Sequence, residues 1–210
     1  MADTGLIFVA TKNAGKMREL RALFAHSPFR LETYDGYADV VEGDESYVAN
    51  AALKAWALHR TLQSDGRSAH VLGDDSGLEV AALGGRPGVL SARYGGSDAT
   101  WARRRALLRA ELAASGSADR AARFVCALYF IPLQGTPCAV ERNVAGMISE
   151  SDRGLAGFSY DAAFWYPPAG KTFAELTQEE KNRVSHRGLA VGALLTAIRA
   201  DAENERRAGN

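Results

Sequence analysis

Leu6-Ile7-Phe8-Val9-Ala10 is an unbroken apolar run of strand length, and beyond a polar stretch Met17, Leu20 and Phe24 recur at helical spacing. Strand, polar loop and helix therefore follow one another at the start of the chain. An acidic loop, Glu42-Gly43-Asp44-Glu45-Ser46, precedes a second helical pattern in which Ala51, Ala55, Leu58 and Leu62 share a face. Val71-Leu72 predicts a strand that delivers Asp74-Asp75 to an edge of the fold, where Ser76-Gly77 reverses the chain. Gly84 to Gly88 reads as a tight turn, with Val89 to Tyr94 returning toward Gly95-Gly96. Asp98 is placed to cap a helix that buries Trp101, Leu108 and Leu112 and turns Arg103, Arg104 and Arg105 outward. Phe124 to Ile131 predicts a strand buried on both faces, and Cys138 to Ile148 its partner across Gly135-Thr136-Pro137. Gly157 to Pro168 is aromatic and too irregular for a long helix. Thr177-Gln178-Glu179-Glu180 is a capping box that starts a short helix carrying Lys181. Ser185 to Gly188 breaks that helix before Val191, Leu194, Leu195 and Ile198 mark a last one, expected to fray from Asp201 to Asn210.

At 210 residues, 47% hydrophobic and 24% charged, the chain suits one or at most two domains with a substantial core. Lys+Arg 25 balances Asp+Glu 25, so no global field draws the protein to nucleic-acid polymers or anionic membranes. Cys126 and Cys138 lie in or beside apolar runs without ligand spacing and read as core residues of a reducing compartment. Met1 to Gly5 carries no basic segment leading into an apolar one, and no run reaches membrane-spanning length, so a soluble intracellular protein is expected.

Chemistry concentrates in a few stretches. Two adjacent carboxylates, Asp74 and Asp75, repel, and partial burial penalises their charge, so a divalent cation or a shared proton is the expected compensation. Taken alone, Asp-Asp-Ser-Gly is equally a turn. Thr11-Lys12-Asn13-Ala14-Gly15-Lys16 crowds polar and basic residues where a helix N-terminus aims unpaired N–H groups at an anion. It is not a Walker A loop, because Ala10 stands at the first glycine and Met17 at the magnesium-binding hydroxyl. Tyr47, Asn50 and Lys54 line up on one helix as either a solvated face or a wall of a site. Phe158 and Tyr160 suit either the core or a platform for a nucleobase, and His186-Arg187 is either a surface cap or part of a donor cluster with Lys181.

The ordered set Thr11-x-Asn13-x-x-Lys16, Glu42, Asn50-Ala51 with Lys54, Asp74 to Val80, Pro87-Gly88 with Ser91-Ala92-Arg93-Tyr94, Gly157-Phe158-x-Tyr160-Asp161 and Lys181 followed by Ser185-His186-Arg187 resembles the inosine/xanthosine triphosphate pyrophosphatase family, from near Leu6 to near Ile198. The resemblance implies magnesium-dependent hydrolysis of ITP, dITP and XTP to the monophosphate and pyrophosphate by a cytoplasmic homodimer. It also implies an α/β fold with a long mixed twisted sheet, flanking helices and two lobes enclosing a nucleotide cleft, residues 1–210 forming one such domain. Carried over by motif, Thr11, Lys12, Asn13, Ala14, Gly15 and Lys16 cradle the triphosphate, and Lys54 adds charge there. Asp75 is the base and a metal ligand, Glu42 the second metal carboxylate, and Ser76 touches substrate. Phe158, Ser159, Tyr160, Asp161, Lys181, His186 and Arg187 form the base pocket. The chain departs from the family pattern at Ala49, where Glu is common, at Ser159, usually Gly, and at Ala162, usually Pro. A pyrophosphatase for other modified nucleotides and a non-catalytic nucleotide-binding module are the alternatives.

Overall fold

Five consecutive apolar residues need cover on both faces, and Leu6–Ala10 forms a fully buried strand, β1. The computed structural model describes residues 5–208. The expectation about the chain's start rests largely on Met1 to Thr4, which lie outside the described residues, as do Gly209 and Asn210. After β1 come α1 (Ala14–Phe24), β2 (Arg30–Glu32), α2 (Tyr47–Ser64), β3 (His70–Val80), β4 (Pro87–Gly88) and α3 (Trp101–Ala114). Then follow β5 (Ala121–Ile131), β6 (Cys138–Ile148), β7 (Phe164–Tyr166), β8 (Lys171–Thr172), α4 (Gln178–Val184) and α5 (His186–Ala208).

Among the described residues the strands form one 8-stranded sheet in the order β2-β1-β3-β5-β6-β7-β8, with β4 paired to β3. β1 runs parallel to β2 and β3, while β3, β5, β6, β7 and β8 pair antiparallel in turn. The fold is thus the expected mixed α/β sheet with flanking helices. Leu72, Leu128 and Phe130 pack with Met17 and Leu20 of α1 and Val191 and Leu194 of α5. Phe8 and Val71 pack with Ala55, Leu58 and Leu62 of α2 on the opposite face. Cys126 is buried, Cys138 half-buried, and both are free thiols. No helix among the described residues is long and apolar enough to cross a membrane.

Four local expectations are corrected. Ser76-Gly77 does not reverse the chain: β3 runs through it, paired with β5 from Val71↔Ile131 to Val80↔Ala122. Its glycines serve close approach instead of a turn. A Cβ on Gly73 would lie 2.0 Å from the Ala51 carbonyl oxygen of α2, and one on Gly77 would lie 2.3 Å from the Gly88 carbonyl oxygen. Thr100, not Asp98, caps α3, its hydroxyl accepting the Arg103 N–H. Of the three arginines only Arg103 is fully exposed; Arg104 is buried, stacked over Trp101 and donating to the Gly96, Ser97 and Ala99 carbonyls. Finally, α5 stays helical through Ala208, past the expected fraying point at Asp201, in a segment rich in the helix formers Ala, Glu and Arg.

Candidate active site

The β1–α1 junction opens onto a cavity of about 220 Å³. Asn13 caps α1 by accepting the Lys16 N–H at 3.1 Å, and its own N–H is held by Thr11 Oγ1. This fixes the loop and leaves the Ala14 and Gly15 N–H groups, among the described residues, without an acceptor at the helix start. Thr11, Lys12, Asn13 and Lys16 line the cavity, while Ala14 and Gly15 form the adjoining first turn.

β3 runs along the cavity and divides its charges between two faces, because successive side chains of a strand point in opposite directions. Asp74 points toward α1 and α5. Its Oδ1 lies 2.5 Å from Lys16 Nζ and its Oδ2 accepts from Arg187 Nε at 2.8 Å. Burial opposes ionisation, but Arg187 and Lys16 outweigh it and hold the Asp74 carboxyl well below the usual range. The network continues inward: Arg187 Nη2 donates to Ser76 Oγ at 2.9 Å and Nη1 to Glu19 Oε2 at 2.5 Å. Lys181 Nζ donates to Glu19 Oε1 at 2.5 Å and also to Asp161. Six alternating charges, Lys16, Asp74, Arg187, Glu19, Lys181 and Asp161, are thereby neutralised in series.

Asp75 points the other way, toward α2. The two neighbouring aspartates therefore make their ion pairs with different side chains, Asp74 with Lys16 and Arg187 and Asp75 with Lys54. Lys54 Nζ lies 2.7 Å from Asp75 Oδ1 and 2.5 Å from Glu42 Oε1. Asn50 Nδ2 donates to Asp75 Oδ2 at 3.3 Å, and the same side chain clamps the Gly43 peptide, accepting its N–H at 2.9 Å and donating to its carbonyl at 3.1 Å. Tyr47, Asn50 and Lys54 are all buried, so the polar stripe of α2 is not a solvated face; Lys54 lines the cavity and Asn50 supports Asp75 from behind it. Burial pushes the Asp75 carboxyl above its usual range despite Lys16 and Lys54.

Among the described residues no group of three or more His, Cys, Asp or Glu side chains gathers as a metal-ligand set. Magnesium does not need one, since it commonly takes one or two carboxylates and completes its shell with water and phosphate oxygens. Glu42 and Asp75 already converge on a single cationic atom, Lys54 Nζ, so their geometry fits a shared cation. Ala49 is exposed and does not line the cavity.

The opposite wall comes from the aromatic segment. Phe158 is half-buried, its N–H held by Asp161 Oδ2 at 2.7 Å, and its ring packs so closely on Gly15 that a Cβ there would lie 2.9 Å from it. Lys181 Nζ and Arg187 Cζ stand 5.3 and 5.9 Å from that ring. Tyr160 is not a second platform: it is fully buried against Trp101 and its hydroxyl donates to the Ser91 carbonyl. Ser159 takes the left-handed φ of 61°, so the loop keeps the backbone shape that glycine normally supplies. His186 is buried and stacked on Phe124 at 4.5 Å, with Nδ1 unpartnered among the described residues. Burial, then Arg187 and Lys181, press its pKa well below the usual value, so it is neutral.

The structure thus gathers the phosphate loop, both carboxylates, Lys54, Ser76 and the Phe158 to Arg187 group around one cavity. Sequence reasoning passed over two carboxylates at or beside the cavity. Glu19 sits on the buried side of α1, between Met17 and Leu20, and a carboxylate among apolar neighbours was the available signal. Asp39 lines the cavity from a loop whose pattern carries no signal.

The Ham1 family model matches residues 7–197. The dITP/XTP pyrophosphatase of Geobacillus kaustophilus is 47% identical over 192 residues, 90% of this chain and 91% of that protein. The protein of the same name from Thermus thermophilus is 43% identical over 195 residues, 92% and 91% of the two chains. A HAM1 protein from Coxiella burnetii superposes with a TM-score of 0.82 at 32% identity, covering 95% of this chain and 100% of that one. The nucleoside-triphosphatase / dITP/XTP pyrophosphatase from Mycobacterium abscessus gives 0.67 at 36%, covering 92% and 99%. The motif order, the sheet and the likeness over nearly the full length agree: this chain belongs to the Ham1 family.

Proposed function

We propose that the protein hydrolyses non-canonical purine nucleoside triphosphates, ITP, dITP and XTP, to the nucleoside monophosphate and pyrophosphate. The observation that carries this reading is that a helix N-terminus with basic residues, the carboxylates of Glu42 and Asp75 and an aromatic ring flanked by cations all face one cavity. Its relatives are named for two of these substrates, dITP and XTP.

The triphosphate lies at the start of α1, where the Ala14 and Gly15 N–H groups, Lys12 and Lys16 meet the developing phosphate charge. Asp75, a stronger base than an exposed aspartate, takes the proton of the water that attacks the α-phosphorus as pyrophosphate leaves. Glu42 and Asp75 are the residues that would hold magnesium, which would supply charge neutralisation and a more acidic water. The base stacks on Phe158. Two of the three N–H donors of Lys181 are engaged by Glu19 and Asp161, leaving one for a purine O6. Adenine would set its N6 amino donor against that ammonium, at about 1–3 kcal/mol for each unsatisfied group.

Acting on free nucleotides, the protein works in the cytoplasm as one two-lobed domain per chain, paired as a homodimer; light scattering should give twice the 22.5 kDa chain mass. Pyrophosphate release from ITP, dITP, XTP, GTP and ATP, with magnesium and then with EDTA, tests the activity. Release confined to the first three and abolished by EDTA is expected, and Asp75→Asn should lower it by roughly 10²- to 10⁴-fold while the fold is retained. Nucleotide binding without release would identify a binding module instead.

A further inference from the structure

We propose that Lys54 is an internal counter-cation for the Glu42–Asp75 pair, so that the protein takes up its divalent cation together with the nucleotide and not ahead of it. The proposal rests on the reading of the site given above. Lys54 Nζ lies 2.5 Å from Glu42 Oε1 and 2.7 Å from Asp75 Oδ1. A divalent ion bound by those two oxygens would meet the ammonium at contact distance, and like charges that close in a buried site repel strongly. One of the two cations has to leave.

The carboxylates are the less mobile party. Asp75 sits in the middle of β3, between ladder partners, with its second oxygen on Asn50. Glu42 is held through its backbone: Asn50 pins the adjoining Gly43 peptide from both sides, and both Arg93 Nη atoms reach the Glu42 carbonyl at 3.4 Å. Lys54, by contrast, ends a flexible four-carbon stem. Its Nζ also approaches the Asp74 carbonyl at 3.4 Å, and Lys16 Nζ reaches that same oxygen at 3.3 Å. The shared acceptor places the two ammonium groups side by side at the phosphate end of the cavity. A small swing of Lys54 exchanges carboxylate oxygens for phosphate oxygens, and the exchange is favourable only when a phosphate is there. Metal and nucleotide then strengthen one another's binding by the same factor.

Mn²⁺ binding, read as loss of the free-ion EPR signal, tests this apart from turnover. Wild type should bind Mn²⁺ weakly alone and roughly 5- to 150-fold more tightly with the α,β-imido analogue of dITP, the usual range for two coupled sites. Lys54→Met should bind Mn²⁺ alone more tightly than wild type by a comparable factor and gain little from the analogue, whereas Lys54→Arg should stay weak. Removing the ammonium leaves two facing carboxylates, so Mn²⁺ should also raise the Tm of Lys54→Met more than that of wild type; if the Met variant does not fold, Lys54→Gln takes its place. Unchanged or weaker Mn²⁺ binding by the charge-removing variant would overturn the proposal. Absence of magnesium-dependent pyrophosphate release by wild type would overturn the underlying reading instead, whatever the Mn²⁺ result.

Discussion

Asp74 and Asp75 are one peptide apart, yet they meet different partners, because the strand sends them to opposite faces of the sheet. Asp74 is structural. Its replacement by Asn leaves the buried Arg187 and the half-buried Lys16 short of a partner, and breaking a buried pair typically costs about 3–5 kcal/mol, a loss that urea unfolding at pH 7 should show. Because the folded-state pKa of Asp74 is depressed, its contribution is present above the unfolded value of about 3.9 and is lost as pH falls below it. The gap between wild type and Asp74→Asn should therefore narrow below about pH 4. Ser159 makes a smaller case. A non-glycine residue at φ 61° is strained by about 1–2 kcal/mol, and the greater flexibility of unfolded glycine returns part of the gain. Ser159→Gly should raise the urea midpoint slightly, by the equivalent of about 0.5–1 kcal/mol.

At the scale of elements, the site depends on how closely α2 lies on β3. Gly73 makes that approach possible, since any Cβ there would overlap the Ala51 carbonyl, which belongs to backbone and cannot swing aside. Gly73→Ala should destabilise the protein by about 1–3 kcal/mol or more, as overpacking of rigid neighbours does. It should also lower kcat/KM at temperatures where the protein is still folded, because α2 carries Asn50 and Lys54 to Asp75. Thermal unfolding and steady-state kinetics on the same variant check both. A Tm drop with unchanged kcat/KM would separate the packing from the site. The α4–α5 break follows the same logic: a Cβ on Gly188 would lie 1.9 Å from the Asn182 carbonyl oxygen, so glycine lets α5 start against the end of α4 and aim His186 and Arg187 inward.

For the molecule as a whole, the network from Lys16 to Asp161 links β1–α1, β3, the aromatic segment and α4–α5, so acid should act on the whole fold at once. His186 contributes a distinct part of that response. Its folded-state pKa is depressed by burial and by Arg187 and Lys181, so the unfolded chain takes up the proton first. Stability is complete above the unfolded value near 6.5 and should fall as pH drops below it. His186→Gln should flatten that portion of the stability profile. A profile equally steep in the variant would assign the loss to other groups.

Most elements are legible along the chain because their signals are local. Apolar runs mark β1 and β5, the turn at Gly135-Thr136-Pro137 marks β6 as the partner of β5, helical spacing marks α1, α2 and α5, and the capping box marks the start of α4. The ordered motifs pick out residues that the fold brings to one cavity, because chemistry requires particular side chains. Only the tertiary structure decides what those side chains face. The pairing of β3 with β5 turns an apparent Asp-Asp-Ser-Gly turn into the middle of a strand and sends its two carboxylates apart. Packing buries Arg104, which local pattern placed in solvent, and fixes Tyr160 in the cavity wall against Trp101 and the Ser91 carbonyl. Contacts between residues distant in the chain, such as Glu19 with Lys181 and Arg187, form only when the sheet and helices have assembled, and no window of neighbouring residues contains them.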